Sequence, residues 1–174
     1  MKIDDYNVNI FKKFNNDWAL LTVGDKNKYN TMTISWGTLG TLWHKEVVIV
    51  FVRKSRYTHE LIDNNKYFTV SFYNDEYKKD LGILGSVSGR DKDKISMTKL
   101  NLEFLDNTTT FKEAEETLVC KKLYSQDMDI NSIPSEVKDK LYSDSDIHTM
   151  YIGEIIDILN NWKDRLINEL VNKK

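Results

Sequence analysis

The stretch VRKSRYTHELI, residues 52–62, places two arginines, a lysine, a serine and a threonine at one corner of the chain. It follows directly on the apolar run VVIVFV (47–52), which has the length and composition of a β-strand, and it leads into a short predicted helix. The first backbone N–H groups of a helix are unpaired and lie at the positive end of its dipole, so they favour an anion. The corner is therefore a candidate anion site.

The side chains at this corner match that expectation. Arg53 and Arg56 each offer a planar set of donors, while Ser55 and Thr58 offer hydroxyl groups in the same turn. Together they indicate a site for a phosphomonoester. The alternative is that Ser55 or Thr58 only caps the helix and that the arginines are solvated.

The bulk composition is that of one folded domain spanning residues 1–174. Hydrophobic residues make up 40% of the chain and charged residues 30%. The net charge of −2 argues against a dedicated nucleic-acid-binding protein, which needs a large excess of lysine and arginine. No apolar run is long enough to span a bilayer. The single cysteine, Cys120, is typical of a reducing cytoplasm, and its strand-like surroundings favour an inert buried thiol over a reactive one.

Six segments have the length and the β-branched or aromatic content of strands: 18–23, 31–36, 46–52, 67–73, 117–124 and 147–159. This pattern predicts a mainly β fold with peripheral helices, in which six antiparallel strands form a barrel over about residues 15–158. The polar segment 105–116 is interpreted as a surface excursion. Four segments are predicted helices: 58–65, 74–85, 133–142 and 161–174. In the last of these segments the helix is expected over about residues 161–172.

Most side-chain chemistry is unsupported by the sequence. Neither a Walker A motif nor G-x-G-x-x-G occurs, and there is no G-x-S-x-G elbow. The segment SDSDIH (143–148) gathers two aspartates and a histidine, but the three histidines of the chain have no paired spacing, so no metal site is predicted. If the protein is an enzyme, we expect a cofactor to carry the reaction.

Four motifs occur in order between about Asn30 and Ile156: N-x-M-T-x-S-W, V-R-x-S-R-Y-T, G-x-x-S-G-R-D-x-D-K and D-x-H-x-x-Y-I-G-E. Together they resemble the flavin reductase-like family, of the flavoredoxin type with an FMN-binding split barrel. The resemblance implies a six-stranded barrel with FMN at its edge, usually in a homodimer. It also implies NADH or NADPH as the electron donor and free flavin or another small molecule as the acceptor.

The resemblance assigns roles to individual residues. The ring of FMN is expected against Met32, Thr33, Ile34, Ser35 and Trp36. The phosphate is expected on Arg53, Ser55, Arg56 and Thr58, the set that the charge argument reaches independently, with contributions from Ser88, Gly89 and Lys94. His148 occupies the position of a family histidine near the ring, although a structural strand histidine is the alternative.

Two further functions stay open at this point. The chain could bind FMN without turnover, as an electron carrier or a flavin-storage protein. Related split barrels hold pyridoxal phosphate, deazaflavin or haem, so the same fold could also hold another ligand.

Overall fold

Pairing between distant strands produces one seven-stranded antiparallel sheet and a separate two-stranded hairpin. The computed structural model describes residues 3–160. Within them the strands are β1 (Ala19–Gly24), β2 (Tyr29–Ile34), β3 (Gly37–Leu42), β4 (Lys45–Arg53), β5 (Tyr67–Phe72), β6 (Leu102–Phe104), β7 (Thr109–Phe111), β8 (Glu116–Asp127) and β9 (His148–Asn160). The helices are α1 (Tyr57–Asn64), α2 (Lys78–Ser86) and α3 (Ser135–Leu141), with short helical turns at Ile3–Asp5, Lys12–Asp17, Asp75–Tyr77 and Ile130–Ser132.

The main sheet has the order β2-β1-β5-β8-β9-β4-β3. Alternation in β4 shows how its sequence selects the buried face, because Val48, Val50 and Val52 are fully buried while Ile49 and Phe51 between them are only partly buried. The buried valines join Leu21, Phe68 and residues of the other strands in one hydrophobic core. Burial of this apolar surface is the main stabilising contribution to the sheet.

The six predicted strands are all present, as β1, β2, β4, β5, β8 and β9. The main sheet nevertheless has seven strands and not six, because the segment GTLGTL (37–42) forms the edge strand β3. Its two glycines and exposed threonines give it little of the composition that marks a strand. Among the described residues, β2 and β3 are the two edges of the sheet, so the strand pairing itself does not form a closed ring.

The interpretation of residues 105–116 as a surface excursion is wrong in part. The segment contains β7, and Phe111 and the threonines 108–110 are buried. Threonine hydroxyls make this burial possible, because Thr109 Oγ1 donates to the Gly24 carbonyl at 2.8 Å and Thr110 Oγ1 lies 3.0 Å from Thr117 Oγ1. A polar sequence is thereby accommodated inside the fold.

The predicted helices are found at α1, α2 and α3, and the predicted helix over 161–172 lies outside the described residues. Thr58 is not the cap of α1, which was one interpretation of its hydroxyl. Arg56 occupies the N-cap position, without a side-chain capping bond, and Thr58 lies buried within the first turn. No helix in the described part of the chain is long and apolar enough to cross a membrane. Cys120 is fully buried, as expected of an inert thiol, and burial raises the pKa of its thiol.

Pairing of β4 with β9 positions the candidate site. The two strands are antiparallel, with Val50 opposite Tyr151 and Arg53 opposite His148. The corner after β4 therefore lies beside the start of β9, although the two are distant in sequence. On the other side, α2 packs closely against β2, where a Cβ atom on Gly85 would lie 3.1 Å from Thr33 Cβ.

Gly153 in β9 faces a filled part of the core, which leads to a stability prediction. A Cβ atom at this position would lie 2.4 Å from Phe68 Cζ and 3.1 Å from Cys120 Cβ. We expect Gly153→Ala to lower the free energy of unfolding by about 1–3 kcal/mol, as overpacking does. Gly40→Ala in β3 is the matched control, since a Cβ atom there meets nothing within 4 Å.

The measurement is chemical denaturation of both variants and the parent. The control is expected to change the free energy of unfolding by less than about 0.5 kcal/mol. Equal losses in the two variants would contradict the packing described for Gly153.

Candidate functional site

Two adjoining cavities lie between β2, the corner after β4, the end of α2 and the start of β9. The small cavity has a volume of about 120 Å³ and the large cavity about 240 Å³. Met32 and Arg56 line both. All of the site residues named from the sequence line one or both cavities, so the fold brings together residues that are spread over the chain.

The small cavity combines the corner after β4 with the loop after α2. Its lining is Asn30, Met32, Ser55, Arg56, Tyr57, Thr58, Leu84, Val87, Ser88, Gly89 and Lys94. Ser88, Gly89 and Lys94 therefore meet Ser55, Arg56 and Thr58, as expected from the sequence. Gly89 lies so close to Asn30 that a Cβ atom there would be 2.1 Å from Asn30 Oδ1, so a larger residue would displace the side chain that donates to Thr58.

Two positive charges meet in the small cavity. The Lys94 side chain is only 4% exposed, and its ammonium group donates to the carbonyl oxygens of Leu84 at 2.9 Å and Val87 at 3.1 Å. Arg56 donates to the carbonyl oxygen of Gly85 at 3.3 Å. No carboxylate in residues 3–160 forms an ion pair with either group. Burial, and then the charge of Arg56, lower the pKa of Lys94 to about 8, so the cavity is positively charged at pH 7.

The hydroxyl groups of the small cavity differ in whether their proton is available. Thr58 Oγ1 accepts a hydrogen bond from Asn30 Nδ2 at 2.8 Å, and Ser88 Oγ accepts one from the backbone N–H of Arg90 at 3.2 Å. A hydroxyl has one proton, and neither Thr58 nor Ser88 donates it within the described structure. Both can therefore donate to an anion in the cavity.

Ser55 is different, because its proton is already used. Ser55 Oγ donates to Asp146 Oδ2 at 2.6 Å, and the Ser55 backbone N–H donates to Asp146 Oδ1 at 3.1 Å. In this arrangement its hydroxyl lines the small cavity but has no proton for a phosphate.

Arg53 is also committed elsewhere, and it lines the large cavity only. Its guanidinium donates to the carbonyl oxygens of Leu141 at 2.6 Å and Asp146 at 3.0 Å, and it pairs with the Asp144 carboxylate at 3.3 Å. The structure thus separates Arg53 from Arg56: the first holds the segment before β9, and the second faces the small cavity.

The large cavity is lined by a continuous stretch of chain and by residues around β9. The lining residues are Met32, Thr33, Ile34, Ser35, Trp36, Phe51, Arg53, Arg56, Leu141 and His148. Ser35 and Trp36 lie between β2 and β3, outside the strand ladders, so their backbone groups are available to a ligand. The cavity therefore joins apolar side chains to backbone donors and acceptors, a lining typical of small-molecule sites.

His148 lies at the base of β9, only 7% exposed, between two aromatic side chains. Its ring centroid is 4.9 Å from that of Trp36, and its Nδ1 atom is 2.8 Å from Tyr142 Oη. Burial and the positive charges of Arg53 and Arg56 lower its pKa to about 4, against a smaller opposing effect of Asp146. The imidazole is therefore neutral at pH 7.

Several lining residues were missed from the sequence, namely Asn30, Phe51, Tyr57, Leu84, Val87 and Leu141. Asn30 carried a usable signal, because it is the first residue of the N-x-M-T-x-S-W motif. Phe51 had none, because it is one of several apolar residues in a strand. Among the described residues no cluster of histidine, cysteine or carboxylate groups could hold a metal ion.

A sequence model of the flavin reductase like domain matches residues 11–169 of this chain. The chain belongs to the flavin reductase-like family. This confirms the resemblance seen in the four motifs, and the match covers both cavities. The family fits the mainly β, antiparallel architecture of the described residues.

Solved structures share the fold of this flavin reductase-like chain. A flavoredoxin from Methanosarcina acetivorans is 24% identical, with a TM-score of 0.64 over 90% of this chain and 75% of its own. An FMN-binding protein from Thermus thermophilus, with bound p-hydroxybenzaldehyde, is 18% identical, with a TM-score of 0.65 over 84% and 72%. The NADH:FAD oxidoreductase SgcE6 of Streptomyces globisporus is 18% identical, with a TM-score of 0.62 over 83% and 74%.

The charge on Lys94 makes anion binding depend on pH. The protonated ammonium attracts an anion, so the affinity for inorganic phosphate should fall as the pH rises through about 8, by up to about tenfold per pH unit. Lys94→Gln should bind phosphate weakly, with no such dependence. Calorimetric titration from about pH 8 upwards, where the charge on inorganic phosphate changes little, checks this. A parent affinity that stays constant up to about pH 9.5 would show that Lys94 does not contact the anion.

Proposed function

We propose that this chain binds FMN across the two cavities and passes electrons from NADH or NADPH through it to free flavin or another small acceptor. The observation that carries the proposal is the pair of positive charges, Arg56 and Lys94, in the small cavity, which adjoins the large cavity lined by residues 32–36. Neither charge has an acidic partner within residues 3–160. The Thermus and Streptomyces proteins, described as FMN-binding and as an NADH:FAD oxidoreductase, support the choice of cofactor and donor.

The donors of the small cavity fit a phosphomonoester. Arg56 supplies a planar guanidinium, and the Lys94 ammonium keeps one N–H beyond the two that it gives to carbonyl oxygens. Thr58 and Ser88 add hydroxyl protons. The first N–H groups of α1 add the positive end of a helix dipole. Ser55 and Arg53 contribute indirectly, through their bonds to the segment before β9.

The large cavity fits a flat aromatic ring with one polar edge. Met32, Ile34 and Phe51 offer apolar surface, and the backbone of Ser35 and Trp36 offers hydrogen-bonding groups. Bound FMN would supply the redox chemistry there, accepting a hydride and passing on electrons. The protein's own part is to orient the ring, to keep one face accessible, and to place positive charge and donors where negative charge develops on reduction.

The homodimer and the cytoplasmic location implied earlier stay predictions. Support for a partner surface comes from two exposed aromatic side chains, Trp43 at 59% and Trp36 at 42%. Trp36 also lines the large cavity, so a second copy covering it would narrow the entrance.

Arg56→Gln tests the phosphate assignment. Loss of a charged hydrogen bond should weaken FMN binding by about 10- to 100-fold. Affinity for riboflavin, which has the ring but lacks the phosphate, should be almost unchanged. Arg90→Gln is the matched control, because Arg90 reaches the same corner by donating to the Ser55 carbonyl oxygen at 3.1 Å, but it pairs with Glu60 at 3.3 Å and does not line the cavity. Fluorescence titration measures both ligands; equal losses for FMN and riboflavin would contradict the assignment.

Electron transfer is tested with the FMN-loaded protein under anaerobic conditions. Mixing with NADH or NADPH should bleach the yellow absorbance of the bound flavin. With the nicotinamide in excess, free flavin added in molar excess over the protein should then be bleached as well, because the bound flavin passes electrons to it. Stopped-flow absorbance measures both steps. Bleaching by dithionite but by neither nicotinamide would refute the reductase proposal and favour the carrier alternative.

A further inference from the structure

Tyr142 contacts His148 but does not itself line the large cavity. Its hydroxyl lies 2.8 Å from His148 Nδ1, and the two rings are perpendicular, with centroids 5.5 Å apart. Tyr142 is only 5% exposed, so few groups can accept its proton. It follows α3 directly and sits in the segment that Arg53 holds through the Leu141 carbonyl oxygen.

The hydrogen bond between Tyr142 and His148 can be made in two ways, and they leave the imidazole in different states. If Nδ1 donates, the buried tyrosine proton has no acceptor in residues 3–160, which costs about 1–3 kcal/mol. If Tyr142 donates, its proton and the Nδ1 lone pair are both satisfied, and the imidazole proton lies on Nε2. The second arrangement leaves no buried group unpaired.

With its proton on Nε2, His148 can act as a donor only if this atom is accessible. Within the described structure Nε2 has no hydrogen-bond partner. The side-chain atoms there that are both fully buried and unpaired are Tyr73 Oη, Thr108 Oγ1 and Asn160 Oδ1, so Nε2 is not one of them. Nε2 is therefore not sealed in the core, and His148 lines the large cavity. An N–H at this atom is available to a ligand.

We infer that Tyr142 is a positioning residue that holds the His148 ring with its proton on Nε2, as a hydrogen-bond donor to a carbonyl oxygen of the molecule in the large cavity. This inference rests on the proposed function in one respect, that the molecule is FMN. The tautomer itself is a property of the ligand-free protein. The nearby charges of Arg53 and Arg56 and the depressed pKa of His148 agree with it, because they disfavour the doubly protonated ring.

The alternative role for Tyr142 is simple packing at the end of α3. Its ring is 5.4 Å from the Arg53 guanidinium carbon, and its backbone N–H donates to the Lys138 carbonyl oxygen at 2.8 Å. Tyr142→Phe keeps the ring and these contacts and removes only the hydroxyl. A packing role predicts no change in the imidazole of His148, so the tautomer separates the two roles.

The test is a ¹⁵N–¹H spectrum of the untagged protein labelled on histidine, in which the ring shifts report which nitrogen carries the proton. His148→Gln assigns the signal among the three histidines. We expect the proton on Nε2 in the parent, and a mixture of tautomers in Tyr142→Phe. Tyr124→Phe, at an exposed tyrosine outside both cavities, should leave the spectrum as in the parent.

FMN titration of the same variants links the tautomer to binding. Tyr142→Phe should bind FMN about 2- to 10-fold more weakly, the effect of one neutral hydrogen bond, while Tyr124→Phe should not. A proton on Nδ1 in the parent, or an unchanged tautomer in Tyr142→Phe, would overturn the inference. A parent that shows the Nε2 tautomer but binds no FMN would overturn the proposed function and leave the positioning role of Tyr142 standing.

Discussion

The pairing of β4 with β9 is the constraint on which the candidate site depends. It sets Arg53 opposite His148 and so places the corner after β4 beside the segment between α3 and β9. Side chains alternate between the faces of a strand, so a shift of one residue would turn His148 away from Trp36 and Arg53 away from Asp146. The buried valines of β4 fix this register, because the same shift would expose them. Core packing and site geometry are therefore determined together.

Local charge compensation explains how a chain with a net charge of −2 can hold an anion site. Asp144 and Asp146 pair with Arg53, and Asp146 accepts the hydrogen bond of the Ser55 hydroxyl, whereas Arg56 and Lys94 have no acidic partner in the described residues. Glu60, the acidic residue in the first turn of α1, pairs instead with Lys28 and Arg90. The two arginines of one short motif therefore have different roles: Arg53 holds the segment before β9, and Arg56 supplies positive charge to the small cavity.

Local patterns were enough to predict the six strands that are rich in β-branched and aromatic residues. Several residues that line the small cavity could be named from the charge at the corner together with the resemblance. Local patterns were not enough for β3, because GTLGTL contains too few β-branched and aromatic residues. They also did not predict the burial of Thr109 and Thr110, whose hydrogen-bond partners lie on other strands. The commitments of Arg53 and Ser55 were also out of reach, since their partners come about 90 residues later in the chain.

The burial of Lys94 shows why an anion site can be built without a carboxylate to hold its cation. Two carbonyl oxygens at the end of α2, those of Leu84 and Val87, accept hydrogen bonds from the ammonium group, and the C-terminal end of a helix carries partial negative charge. These neutral acceptors lower the cost of burying the ammonium but leave its full positive charge in the small cavity. A carboxylate in the same place would cancel that charge and remove the attraction for a phosphate. The close packing of α2 on β2 at Gly85 brings these carbonyl groups within reach of the site.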